Sequence, residues 1–362
     1  MIKYDDIVDY YKIESVYRKI CSTTEHKRKL VMFELSKFSN FIFLYNVLKD
    51  RNYVHGKYNI FMIKYPKHRI IMSENLNDKI INHLISTYVL SPLIEPKLLD
   101  INVATRTGKG LDKGIFYVKK YFNKMKDNLD NIYVLKCDIN KYFYNIDHEV
   151  LYSKLKKIIF DNELLDLIQK ILDSTNGNYV NEVVDKIIYN EINNIKKSNR
   201  NLKDKEKLIA KLESIPKYTT GKGLPIGNMT SQILAIFYLN DLDHFIKKKL
   251  KIKYYVRYMD DFVLFHEDCC YLKYCKKEIE RELKKVKLRL NDKTCIAKVT
   301  SGFVFLGYRF LFKNNKIYML PSKQMKKKIR KRYKKEGTII INRYNGYFKR
   351  CHCGNFIYNL TG

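Results

Sequence analysis

Asp260 and Asp261 stand side by side in VRYMDDFVLF (256–265), inside a run that is otherwise largely apolar. Two adjacent carboxylates repel, and burying even one without a partner is costly. The same tripeptide at Tyr4, Asp5 and Asp6 has mixed polar neighbours and reads as an exposed terminus. A further acid, Asp138, ends the apolar run VLKCDI. Neighbours on a strand face opposite sides, but a tight turn breaks that alternation, so Met259 to Asp261 can present acids at a hairpin tip. If the two strand ends meet in one sheet, Asp138 comes beside Asp260 and Asp261. Clustered carboxylates tolerate one another when divalent cations sit between them, and Mg2+ prefers such hard oxygen ligands. Two ions about 3.5–4 Å apart can activate a hydroxyl and stabilise a leaving pyrophosphate in an in-line displacement. The plainer reading is a solvated hairpin tip and an unrelated turn aspartate, and these segments alone leave both open.

The rest of the chain constrains that choice. Its 362 residues are enough for a large core divided into subdomains. A hydrophobic content of 46% excludes disorder throughout. Lys and Arg number 70 against 38 Asp and Glu, a net charge of +32. Self-repulsion on that scale disfavours a compact state unless a polyanion neutralises it. Nucleic acid is the first candidate and an anionic membrane surface the second. Part of the Lys, Asn, Ile and Tyr excess is the kind an AT-rich genome produces. No apolar run approaches the roughly 18–20 residues that span a bilayer, and MIKYDDIVDYYK lacks a secretory apolar region. Eight cysteines without a framework spacing suit a reduced, cytoplasmic protein.

No internal repeat is visible. Residues 1–60 read as a basic helical extension, and FMIKYPKHRIIMS (61–73) as two short strands around a Pro66–Arg69 turn. NDKIINHLISTYVLSPLI (77–94) has helical spacing, and NIYVLKCDI (131–139) is a buried strand by its β-branched content. A helix with Asp147 as N-cap follows. Residues 175–216 are polar and charge-rich, an inserted and partly helical arm. A Gly-rich turn leads into a long helix over 223–250, and KYYVRYMDDFVLFHED reads as strand, tight turn, strand. Helix 270–288, the turn LNDKT, a hairpin over 303–320 turning at Asn314 and Asn315, and a helix with nine Lys or Arg over 323–335 complete the expectation. Cys351, His352 and Cys353 offer three ligand atoms but not the usual zinc spacing.

YMDDFVLF resembles the box that identifies reverse transcriptases, and the resemblance continues in order over residues 60–350. PKHRIIM and ATRTGKGLDKGI (104–115) resemble the family's two fingers segments. LKCDINKYFYNIDH resembles the first palm motif, and GLPIGNMTSQILAIFYLNDLDHF the segment that contacts template and incoming nucleotide. LNDKT resembles the next palm motif and FLGYRF the primer grip. The resemblance implies an α+β right-hand polymerase fold of fingers, palm with antiparallel sheet, and helical thumb. It implies an N-terminal helical extension over 1–60, fingers and palm over 61–320 with an inserted arm at 175–216, and a thumb over 321–362.

By resemblance, Asp138 and Asp260 bridge two Mg2+ ions, with Mn2+ as a substitute, Asp261 supports the charge balance, and the carbonyl of Ile139 is a further metal ligand. Phe143, five residues after Asp138, matches the steric gate that crowds a ribose 2′-hydroxyl. Lys67 and Arg69 are placed to hold the triphosphate, with Arg106 and Lys109 as further contacts to template or triphosphate. Ile226, Gly227 and Gln232 lie around the nascent base pair, where Gly227 lets the backbone approach without a Cβ clash. Lys293 is a proton donor to the leaving pyrophosphate. Phe305, Leu306, Gly307 and Tyr308 are the primer grip, and Lys326, Lys327, Arg330 and Lys331 track the phosphate backbone. Where group II intron and retron enzymes usually carry Gln-Gly and then Ser-Pro, this chain has Ile226–Gly227 and Ser231–Gln232. That form resembles the enzymes of diversity-generating retroelements, which copy a template RNA with errors at adenines, as does NGYFKRCHCGNFIYNL near the end. Defence-associated bacterial reverse transcriptases, which make cDNA from a partner non-coding RNA, are the alternative. A non-catalytic, maturase-like RNA-binding scaffold is the alternative of another class. The implied partners are template or non-coding RNA, an RNA/DNA hybrid, dNTPs and an accessory protein subunit, in the bacterial cytoplasm and with no membrane.

Overall fold

The computed structural model describes residues 2–24, 28–64, 67–199, 201–313 and 316–361. Two units emerge, Met1–Leu98 with Lys141–Leu239, and Leu99–Asn140 with Asn240–Gly362.

In the first unit the expected helical start is present. The Asp9 carboxylate accepts from the Lys12 amide (3.0 Å) and caps helix Tyr10–Thr23, whose Ile13, Val16, Tyr17 and Ile20 form one buried face. Helices Arg28–Glu34 and Lys37–Lys49 follow. The terminal YDD is not simply solvated: Tyr4 is buried and its hydroxyl donates to the Leu48 carbonyl (2.9 Å), while Asp5 pairs with Arg51. Strands β1 (Asn59–Ile63) and β2 (Arg69–Ser73) pair antiparallel with Ile63 opposite Arg69. Arg69 therefore opens a strand, and Pro66 of the expected turn lies outside the described residues. The helical spacing of 77–94 is realised as helix Leu76–Ile85, one wide turn at Ser86–Leu90, and helix Ser91–Ile94. Asp147 caps His148–Leu155 by accepting from the Val150 amide (3.1 Å). Residues 175–216 hold two helices, Asn178–Lys196 and Leu202–Glu213. Val180 and Val184 of the first pack with Tyr58, Ile60, Ile70 and Met72, so this segment is rooted on β1 and β2.

The second unit carries a four-stranded antiparallel sheet in the order β4-β5-β3-β6, from β3 (Tyr133–Asp138), β4 (Tyr254–Tyr258), β5 (Asp261–His266) and β6 (Cys295–Lys298). Register separates its faces. Val134, Lys136 and Asp138 lie opposite Phe265, Val263 and Asp261 on one face; Leu135 and Cys137 lie opposite Leu264 and Phe262 on the other. Val134, Val263 and Phe265 of the first face pack with Val118 and Phe122 of helix Leu111–Met125. Helix Cys269–Lys285 packs on β3 and β5 and buries Leu272, Cys275, Ile279 and Leu283. Covering on both faces explains why β5 reads as an unbroken apolar run rather than an alternation. The segment over 303–320 is not one hairpin. Leu306 and Gly307, at φ +52° and +81°, insert a turn that makes a meander of β7 (Phe303–Phe305), β8 (Tyr308–Lys313) and β9 (Lys316–Pro321). Asn314 and Asn315 lie outside the described residues. Ser322 caps the basic helix Lys323–Glu336, which is anchored by Ile329 against Ile340, Phe348 and Phe356.

Within this unit, one buried ion pair ties the helix Asn240–His244 to β4. The Arg257 guanidinium donates to both oxygens of Asp243 (2.7 and 2.5 Å), and both side chains are fully buried. Its remaining nitrogen donates to the Met259 carbonyl (2.9 Å), and the Tyr255 hydroxyl donates to Asp243 (2.7 Å). Removing one partner strands a charge in the core. Asp243→Ala is expected to destabilise the protein by about 3–5 kcal/mol, and the apolar double replacement Asp243→Leu/Arg257→Met to recover most of that loss. Urea unfolding of the three proteins checks this; equal damage in both variants would mean the charge pairing is not the cause.

Candidate active site

Asp138, Asp260 and Asp261 lie at one end of the four-stranded sheet, close enough for the first two to influence the charge of the third. Asp138 is the last residue of β3 and Asp261 the first of β5, and they are direct cross-strand partners. Side chains in such a pair share a face, with Cβ atoms about 4.5–5.5 Å apart. Asp260 fills the two-residue turn between β4 and β5 with Met259, whose φ of +57° lets the chain reverse at once. The Asp138 carbonyl accepts from the Asn291 amide (2.7 Å), Ile139 bridges Leu290, and the Asn140 amide donates to the Arg289 carbonyl (3.0 Å). The segment 289–291 thus fastens the strand end that carries Asp138.

The electrostatics leave Asp261 under-compensated. Lys136, two residues before Asp138 on the same face, approaches Asp261 only to 3.7 Å. The Asp261 Oδ1 atom is buried without a hydrogen-bond partner. Burial pushes the Asp261 carboxyl up to about 7; Lys136 opposes the shift, while Asp138 and Asp260 add to it. Among the described residues no group of three or more His, Cys, Asp or Glu side chains forms a ready-made metal-binding cluster. The acids are instead an open strand-end set of hard oxygen donors with one oxygen unsatisfied, a set that suits a small divalent cation such as Mg2+ or Mn2+.

In the other unit, the loop before helix Met229–Tyr238 is fixed by backbone. The Met72 amide donates to the Ile226 carbonyl (3.0 Å). Gly227 has φ +149°, and a Cβ there would sit 2.3 Å from the Met72 carbonyl oxygen, so no larger residue fits without displacing β2. Asn228 is fully buried and donates to the Tyr58 hydroxyl (3.0 Å). The Leu224 amide donates to the Phe143 carbonyl (2.7 Å), which brings Phe143 to the same loop. The Phe143 ring is half-buried rather than sealed in a core, and Gln232 is exposed on the first helical turn. Lys67 and Arg69 are exposed beside the β1–β2 connection.

Other expected contacts are placed differently. Arg106 donates to the Leu99 and Asn102 carbonyls (2.9 and 3.0 Å), and Lys109 pairs with Asp100, so both serve their own loop. Lys293 is exposed in the LNDKT turn. Phe305 and Tyr308 are fully buried, so only Leu306 and Gly307 can meet a strand at this turn, while Tyr308 stacks on Tyr347 (4.5 Å) beneath it. On the basic helix, Lys326 and Arg330 lie over the Phe356 ring, each 5.6 Å from its centroid, whereas Lys327 and Lys331 are exposed. The Cys351 thiol is pushed up to about 12 by burial and donates to the Tyr347 carbonyl (3.7 Å), so this thiol is held in its neutral form. Sequence reasoning missed Asp243, Arg257 and Asn228. The signal for the first two was a charged residue within each of two apolar segments.

The mixed α and β architecture, with its antiparallel sheets and acid-bearing turn, is consistent with a right-hand polymerase. The family model for reverse transcriptase (RNA-dependent DNA polymerase) matches residues 63–310, and the chain belongs to that family. No curated protein sequence matches it. Similar solved structures include Candida albicans telomerase in complex with a fragment of telomeric RNA, at 15% identity, covering 86% of this chain and 59% of that one with a TM-score of 0.43. Apo telomerase from Candida tropicalis is 15% identical, covering 77% of this chain and 52% of that one with a TM-score of 0.43. A form of it truncated from the C-terminal domain is 14% identical, covering 75% and 58% with a TM-score of 0.45. The chain thus spans between half and three-fifths of the length of these structures.

A metal-independent consequence follows from Asp261. Its folded-state value of about 7 lies above the ordinary 3.8, so its contribution to stability is full below 3.8 and is lost as the pH rises to about 7. In buffer containing a chelator, Asp261→Asn is expected to match the parent at acid pH and to melt at a higher temperature above neutrality. Thermal unfolding across that range checks it; a variant less stable than the parent at high pH would contradict the cost of burying the ionised Asp261 carboxylate.

Proposed function

We propose that the protein is an RNA-directed DNA polymerase that extends a primer with dNTPs on an RNA template. The observation that carries this reading is the register pairing of Asp138 with Asp261 at a strand end, beside Asp260 in the turn. Two Mg2+ ions held by Asp138, Asp260, Asp261 and the Ile139 carbonyl would supply hydroxyl activation and charge neutralisation at the phosphoryl group. The protein's own groups do the rest. Lys67 and Arg69 bind the triphosphate, Lys293 delivers a proton to the pyrophosphate, and the Phe143 ring excludes a 2′-hydroxyl. Leu306 and Gly307 support the primer end, and Lys327 and Lys331 meet backbone phosphates. Primer extension tests this directly. Asp260→Asn is expected to reduce extension at least about a thousandfold while RNA affinity, set by the Lys and Arg excess, survives. Near-normal extension by the variant would overturn the carboxylate assignment, and RNA binding without extension by the parent would leave the scaffold reading.

We further infer that the enzyme copies a dedicated template RNA with errors, as diversity-generating retroelement enzymes do. Ile226 supports this: its backbone is pinned to β2 and its half-buried, branched apolar side chain cannot offer the hydrogen bond a Gln could make to template or nucleotide. Each 1.4 kcal/mol of lost discrimination is roughly a tenfold loss of fidelity. Deep sequencing of cDNA from one RNA should show frequent errors, concentrated at template adenines and reduced by Ile226→Gln. Low, uniform error in the parent would instead favour a defence role with a partner non-coding RNA, a reading supported by the helical pair over 178–213.

A further inference from the structure

We propose that the cleft between helix Leu111–Met125 and the outer end of the β8–β9 hairpin is a second nucleic-acid site, which takes a nucleotide of a single RNA strand. The cleft has a volume of about 420 Å³, a size suited to one flat, phosphate-bearing group. Its rim carries Lys119 and Lys126 from the helical side, Lys316 from β9, and His352. Lys119 lies on the helix and Lys126 follows its last residue, Met125. None of these three lysines forms an ion pair with a described residue. Lysines elsewhere in the unit do, as Lys276 does with Glu280 and Lys285 with Glu282. Three unneutralised cations around one concavity call for an anion.

The walls call for a base. Tyr318 and Phe312 line the cleft and are half-buried. Tyr318 lies against the His352 ring (5.4 Å), and His352 is tied to the Met319 backbone by two hydrogen bonds, so the aromatic surface is held in place. One helical turn before Lys119, Phe116 is 49% exposed, with the ammonium groups of Lys113 and Lys120 at 4.7 and 5.8 Å from its ring. Exposed rings interleaved with lysines are what an unpaired strand uses, because each base offers a face to stack on and each phosphate a charge. A duplex keeps its bases stacked and hidden from Tyr318.

This place is separate from the acid-bearing strand ends. Phe122 forms part of the cleft and packs on Phe265 (5.7 Å). Phe265 is four residues along β5 from Asp261, or about 13 Å of strand. The site would therefore hold RNA away from the reacting end of the sheet, and its test does not require polymerisation.

The experiment measures binding of unstructured oligouridine to the full chain as a function of salt. The triple variant Lys119→Ala/Lys126→Ala/Lys316→Ala should lower the salt slope by about 2 and the affinity at least about tenfold. Tyr318→Ala should weaken binding about tenfold, with Tyr318→Phe close to the parent. Extension of a short preformed RNA/DNA hybrid should not change. A 4-thiouridine oligonucleotide irradiated with the unaltered protein should cross-link at Phe312, Tyr318 or His352, a readout independent of how the variants fold. Unchanged slope and affinity, cross-links confined elsewhere, an equal loss for duplex RNA, or displacement of the oligonucleotide by free ATP or an acidic peptide would each overturn the proposal.

Discussion

The fully buried Arg257–Asp243 pair is the constraint on which the acid-bearing end of the sheet depends. A turn of only two residues that carries a carboxylate gains little from packing, and like charges push it apart. Arg257 resists this from the opposite face of the sheet: it is anchored bidentately by Asp243 and holds the Met259 carbonyl with its remaining nitrogen. Its backbone extends the same function, since its amide donates to the Ile101 carbonyl and its carbonyl accepts from the Val103 amide. The residues just before the acids are thereby fixed on both sides of the chain.

Register converts that anchored turn into a site. Because Val134, Lys136 and Asp138 share a face with Phe265, Val263 and Asp261, the same face is apolar at one end and acidic at the other. The apolar end is sealed by aromatic packing of Phe122, Phe265 and Phe303. The acidic end leaves an Asp261 oxygen without a hydrogen-bond partner. A slip of one residue would put Asp138 on the face that holds Leu264 and Phe262, so the hydrophobic pattern that specifies the sheet also specifies where the carboxylates point.

The basic excess divides into charges with different surroundings. Some are absorbed locally, as with Arg350 on Asp112 or Arg51 between Asp5 and Glu163. Others lie over aromatic rings, as Lys326 and Arg330 do on Phe356. The remainder faces solvent in clusters, on the basic helix and along Leu111–Met125. Clustering of basic side chains in these places, rather than net charge alone, favours a polyanionic partner.

Sequence alone determined the apolar strands, the cap at Asp147, the tight turn at Met259–Asp260 and the candidate acids, because these are set by local periodicity, side-chain acceptors and turn chemistry. By resemblance it also placed Gly227 where the backbone approaches a nascent base pair. Only the tertiary structure decided that the Met72 carbonyl lies against Gly227, that Asp261 rather than Asp260 lies directly opposite Asp138, and that Arg106 serves its own loop. It also turned the expected hairpin over 303–320 into three strands and buried Phe305 and Tyr308, leaving Leu306 and Gly307 at the turn. The physical reason is common to all of these. Which partner a strand or a charged group meets depends on contacts between residues far apart in the chain, such as Asp243 with Arg257 or Asn228 with Tyr58, and no local pattern of residue types encodes that pairing.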